Sequence, residues 1–133
     1  MTSLRPYMIA FAATAAVFLP LDAAWLGFMG SRLYQPALGL LLAPEPDMLA
    51  AACFYPLYLM GVVVFAVRPT VRDEAAAVSA LRAAFFGLVA YGTYDLTNQA
   101  TLQGWPWRLT AIDLVWGSCL TALSAMVARH AVR

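Results

Sequence analysis

YMIAFAATAAVFLPLDAAWLGFM, residues 7–29, decides the fold. Its 23 residues carry one charged side chain, Asp22. A bilayer needs about 20 mostly apolar residues per helix, so this run is long enough to cross. The acid then lies within the apolar layer. A carboxylate there costs roughly 2.5–3.5 kcal/mol on insertion scales, so it usually faces a protein interior and marks a functional site.

Three more stretches have the same character, at about 48–67, 75–98 and 110–128. They are separated by a Gly/Pro-bearing connection (30–47), a short charged turn (68–74) and a polar, Trp-rich loop (99–109). The expected fold is all-α, a polytopic four-transmembrane-helix bundle formed as a single domain over residues 1–133. Composition agrees. The chain is 63% hydrophobic and 11% charged, with a mean hydropathy of +0.75, whereas soluble domains are about 45–50% apolar and about 25% charged. Ala13-Thr14-Ala15 has the look of a signal-cleavage site, but it stands near the start of the apolar run instead of after it. The first helix is expected to be retained.

All eight basic residues are Arg, and their placement gives an orientation. With a cytoplasmic N-terminus, Arg5, Arg68, Arg72, Arg82, Arg129 and Arg133 lie inside, and Arg32 and Arg108 outside. That bias predicts cytoplasmic termini and a multi-pass protein of the cell inner membrane. Arg82, a turn inside its span, is expected to snorkel to the inner interface. Tyr34, Trp105 and Trp107 suit the outer headgroup zone. The scattered net charge of +1 leaves no footprint for nucleic acid. The lone histidine, His130, stands in the charged tail, so haem and His-ligated metal sites within the membrane are not expected. Cys53 and Cys119 read as buried, inert thiols. No cofactor and no metal site is indicated.

With this topology, Asp22, Asp95 and Asp113 fall at one level of the outer leaflet, Asp22 roughly 10 Å deep. Other polar and aromatic groups gather there. Tyr55 and Tyr58 share a face of the second helix. Tyr91, Asp95 and Asn98 form a polar stripe on the third, beside Tyr94. On the fourth, Asp113, Gly117, Thr121 and Ser124 form a small and polar stripe that neighbours can approach closely. Asp22-Ala23-Ala24-Trp25 and Asp113-Leu114-Val115-Trp116 repeat one element, an acid and an indole on the same helix face. The candidate ligand-binding residues are therefore Asp22, Trp25, Tyr55, Tyr58, Tyr91, Tyr94, Asp95, Asn98, Asp113 and Trp116.

Structural readings compete with each of these. Thr110 to Asp113 matches a capping box, as does Thr70 to Asp73. Asp95 could pair with Arg108, and Asp22 with Arg32. The Tyr and Trp residues also suit an interface belt, and Pro20 and Pro56 suit helix kinks.

The segments Asp22 to Gly27, Tyr91-Gly92-Thr93-Tyr94-Asp95-Leu96-Thr97-Asn98, Gly104-Trp105-Pro106 and Asp113 to Gly117 resemble domain-of-unknown-function family 2177, in order and over nearly the whole chain. The resemblance implies a small bacterial four-helix membrane protein without an assigned activity.

Three functions follow from the residues. The first is an acidic, aromatic pocket for a lipid-like or other small amphipathic ligand, since apolar walls with a few convergent polar groups are how such sites are built. An enzyme is a sub-case, because clustered carboxylates can serve acid/base chemistry. The second is an accessory subunit of a larger membrane complex, or a homo-oligomer, favoured by small residues at four-residue spacing (Ala12 with Ala16, Ala23 with Gly27). The third is proton- or cation-coupled transport, although the inner half of every helix has few acceptors.

Overall fold

The computed structural model describes residues 3–71 and 73–133. Arg72, read above as an inner-side cation, lies outside the described residues. The four expected spans are present. Helix α1 runs Arg5–Met29 and continues through a π-helical turn, Gly30–Tyr34, into the short α2, Gln35–Leu38, and a 3-10 turn, Gly39–Leu41. Helix α3 is Met48–Gly61, prolonged by a π-helical segment, Val62–Val67. Helices α4 (Ala76–Thr101) and α5 (Trp107–Ala131) complete the bundle. Among the described residues, four helical stretches are long and apolar enough to cross a membrane.

The packing is that of a membrane bundle, with small and polar groups among the buried residues and many large apolar ones exposed. Thr14, Ser79, Thr121 and Ser124 are buried, whereas Leu57, Phe65, Leu81, Phe85 and Val115 are exposed. Lipid contact suits the exposed set. Two of the buried hydroxyls return to their own helix: Thr14 Oγ1 donates to the Ala10 carbonyl at 2.7 Å and Ser124 Oγ to that of Leu120 at 2.8 Å. The two cysteines are exposed, not buried as expected, and both are free thiols.

Helix α5 is the hub, packed most closely on α4 and next on α1. The small stripe read from the sequence makes the α4–α5 seam. A Cβ at Gly117 would run into the ring of Tyr91, and one at Gly87 into the Gly117 carbonyl and Thr121. Bare backbone at both positions lets the helices meet. The second span behaves differently along its length. Its π-helical end buries Val62, Val63, Ala66 and Val67 against Phe18, Leu120, Ala125 and Ala128. Its first half touches the other helices little and leaves Met48, Leu49, Phe54 and Leu57 exposed. The bundle is tight at the end carrying the chain termini and splayed at the far end.

Several local expectations need correcting. The connection after α1 is helical through Leu41, so residues 30–47 are only partly loop. Asp47 is the N-cap of α3, accepting from the Leu49 and Ala50 N–H groups at 2.9 and 3.1 Å. Thr70 to Asp73 caps nothing: α4 starts after Ala75 with no side-chain cap. Helix α5 begins at Trp107, after Pro106, earlier than expected. Thr110 is already inside it and instead locks the α4–α5 turn. Its Oγ1 accepts from Trp105 Nε1 at 3.0 Å and donates to Gln99 Oε1 at 3.1 Å, while Gln99 Nε2 donates to the Trp105 carbonyl at 2.7 Å. Trp105 is therefore buried with Leu33, Leu38 and Leu109. Only Trp107, exposed beside it, fits the interface belt.

At the termini end, Arg82 reaches out of α4 to clasp Glu74 with both terminal nitrogens, and its Nη2 also donates to the Ala66 carbonyl at 2.9 Å. Arg68 stands 3.7 Å from the same carboxylate. Ser79 Oγ donates to it at 2.6 Å. Arg129 and Arg133 donate to the Glu74 backbone carbonyl.

Candidate functional site

The splay at the far end leaves a cavity of about 730 Å³ between α1, the first half of α3, α4 and α5. Asp22, Trp25, Tyr58, Tyr91, Tyr94, Asp113 and Trp116 line it, with Leu38, Leu42, Pro44 and Pro46 of the α1–α3 connection at its rim. The residues singled out in the sequence therefore converge. Asp95, Tyr55 and Asn98 support the site without lining it. Asp95 is wholly buried with its carboxyl against that of Asp113, and no other group among the described residues hydrogen-bonds its oxygens. Asn98 lies one turn further along α4, beside Tyr94.

The two Asp/Trp elements meet across the α1–α5 interface. These helices run in opposite directions, so the indole of one element comes level with the acid of the other. Trp25 and Trp116 stack with centroids 4.2 Å apart and planes 9° apart. Trp116 Nε1 lies 3.4 Å from Asp22 Oδ1, a long hydrogen bond, and Tyr55 completes that acid by donating to Oδ2 at 2.6 Å. Trp25 Nε1 donates to the Tyr34 hydroxyl at 2.9 Å, and Tyr34 donates on to Asp113 Oδ1 at 2.5 Å. Each of these acids thus holds one tyrosine hydroxyl, and each indole N–H is used. Tyr58 binds Thr121 through their hydroxyls at 2.7 Å and packs on Phe18, with centroids 5.2 Å apart.

This network overturns the simpler roles. Asp113 caps no helix, since α5 starts at Trp107 and its acid faces Tyr34. Arg32 does not reach Asp22: it lies over the Phe28 ring and donates to the Phe28 carbonyl at 2.8 Å. Among the described residues, the ion pairs are those of Glu74 with Arg68 and Arg82, so Asp95 does not pair with Arg108. Tyr34, assigned by sequence to the headgroup belt, is instead the link between Trp25 and Asp113. No group of acids, cysteines or histidines among the described residues is arranged to hold a metal ion.

No curated protein and no solved structure matches the chain. The model of one family, described as predicted membrane protein (DUF2177), matches residues 7–130. With four spans in place and nearly all its length matched, the chain belongs to the DUF2177 family of predicted membrane proteins.

Proposed function

We propose that the far-end cavity binds a small amphipathic molecule drawn from the outer leaflet of the cell inner membrane, with both termini of the protein in the cytoplasm. One observation carries this reading: a cavity of about 730 Å³, walled by aromatic rings, has at its polar side carboxylates without cationic partners among the described residues. Its volume falls in the range of small-molecule sites, about 300–1,000 Å³. Carboxylates are costly at membrane depth, and keeping them there without a structural ion pair is the mark of a site that uses them. The loose first half of α3 supplies a lateral way in from the bilayer.

Native mass spectrometry of protein extracted with its own lipids tests the pocket. Wild-type protein should keep a discrete small-molecule adduct that Asp22→Asn and Trp25→Ala lose. An adduct kept equally by both variants, or none on the wild type, would count against a pocket. Orientation is tested in a background lacking Cys53 and Cys119. Ala43→Cys should react with an impermeant thiol reagent in intact cells, and Thr70→Cys should not. A second reading, an accessory subunit, draws on the exposed small residues Ala12, Ala16, Ala23 and Gly27 along α1. In that case, the same spectra would show a retained protein partner in place of the adduct.

A further inference from the structure

We infer that the molecule taken by this cavity carries a protonated amine on an apolar body. The inference rests on the pocket reading and names the chemistry of its ligand. The charge pattern is one-sided, since among the described residues no Arg or His lines the cavity, and the chain has no Lys. The donors that reach Asp22 and Asp113 are phenol and indole groups, which orient a carboxylate without cancelling its charge. Behind them, Asp95 is fully buried against the Asp113 carboxyl, and no cation stands beside that pair among the described residues. An ammonium head supplies the cation that Asp22 and Asp113, the two acids at the cavity wall, lack among the described residues.

The walls agree with that head. The faces of Trp and Tyr rings are electron-rich and attract ammonium groups, most strongly away from water. Trp25, Tyr58, Tyr91 and Trp116 bring four such rings to one cavity. A phosphate or carboxylate head would instead meet like charge, with no Arg to receive it. A divalent metal is disfavoured because the acids are not arranged as a ligand set among the described residues.

Four probes with the same twelve-carbon chain separate these cases in dodecyl maltoside micelles, read by the fluorescence of the stacked indoles and by melting temperature. They are dodecylamine, dodecanol, dodecanoate and dodecylphosphoethanolamine. Dodecylamine should bind saturably and at least about tenfold more tightly than dodecanol, with dodecanoate weakest. Asp22→Asn/Asp113→Asn should abolish that preference. Dodecylphosphoethanolamine matching dodecylamine would support the amine and assign it to a bilayer aminophospholipid; dodecylamine binding alone would support it and assign a free lipophilic amine. If dodecanol or dodecanoate binds as tightly as dodecylamine and Trp25→Ala abolishes that binding, the amine is wrong and the pocket stands. If no probe saturates, both fall. The probe series on the wild type decides the matter even should the double variant fail to fold.

Discussion

Two acidic clusters occupy opposite ends of this bundle, and they are built on opposite rules. At the termini end, Glu74 is surrounded by arginines: Arg82 clasps its carboxylate, Arg68 stands 3.7 Å away, and Arg129 and Arg133 hold its carbonyl. At the far end, Asp22 and Asp113 are held by neutral hydroxyl and indole donors, and Asp95 by none. The first arrangement consumes its charge and ties the 68–75 turn to α4 and α5. The second has no cation beside its acids among the described residues and leaves a cavity next to them. Acids at the two ends of one small bundle thus differ in their surroundings: Glu74 joins elements through arginines, and the aspartates border a cavity or lie behind it.

The largest effect should come from the seam on which the far end depends. Gly117→Ala places a methyl in the ring of Tyr91. Overpacking of this kind costs about 3 kcal/mol at its upper range. A clear fall in melting temperature with loss of the retained adduct is expected; unchanged melting would mean that α4 and α5 do not meet this closely. Tyr34→Phe comes next, removing the donor to Asp113 and the acceptor of Trp25 together. Hydrogen bonds to charged groups are worth about 1.5–3 kcal/mol, and the lower part of that range suits this half-buried pair. A shift in indole fluorescence should accompany it.

Asp95→Asn and Arg82→Met sharpen the contrast directly. Replacing the buried Asp95 carboxyl, which has no cation beside it among the described residues, by the neutral amide should leave stability unchanged or raise it, by up to about 1 kcal/mol, while weakening ligand retention. Arg82→Met should lower stability and leave retention intact. Thermal melting beside adduct content checks both, and the same pattern in the two variants would erase the distinction between the clusters.

The smallest effect is a dependence on pH at the termini end. Hydrogen bonds from Arg82 and then Ser79 hold the Glu74 carboxyl well below the usual carboxylate range, at about 2. A group lowered on folding stabilises fully above its unfolded value of about 4.5, and the contribution is lost as pH falls towards about 2. Glu74→Gln should therefore melt below the wild type at neutral pH, with the gap closing between about pH 4.5 and 2. A gap that stays constant over that window would show that the carboxylate charge is not what Arg82 recognises.

The far-end site was partly legible in the sequence. Apolar length alone located the spans, and the repeated Asp/Trp spacing picked out both halves of the indole stack. Tyr34 was missed for a geometric reason. At about 100° per residue, nine residues of unbroken α-helix would set it opposite Trp25. The π-helical turn at Gly30–Tyr34 winds more slowly and helps bring it back, and hydropathy does not report such a turn. Asp113 was misread because Thr110 and Asp113 have capping-box spacing, although Pro106 already signalled an earlier start to α5. The fate of the arginines was hidden as well. Which acid an Arg reaches depends on where turns bring side chains together, and Glu74 drew a cluster that spacing along the chain did not suggest.

The indole stack also has a consequence for how the protein is made. Trp116 reaches Asp22 across 94 residues of chain, and Tyr55 across 33. At about 5–20 residues per second, ribosomal synthesis leaves Asp22 waiting roughly 5–20 s for its indole. Through that interval the first helix carries a lone carboxylate into the membrane, with at most one hydroxyl to receive it. Asp22 therefore gains its full set of donors only once α5 has been made and packed against α1.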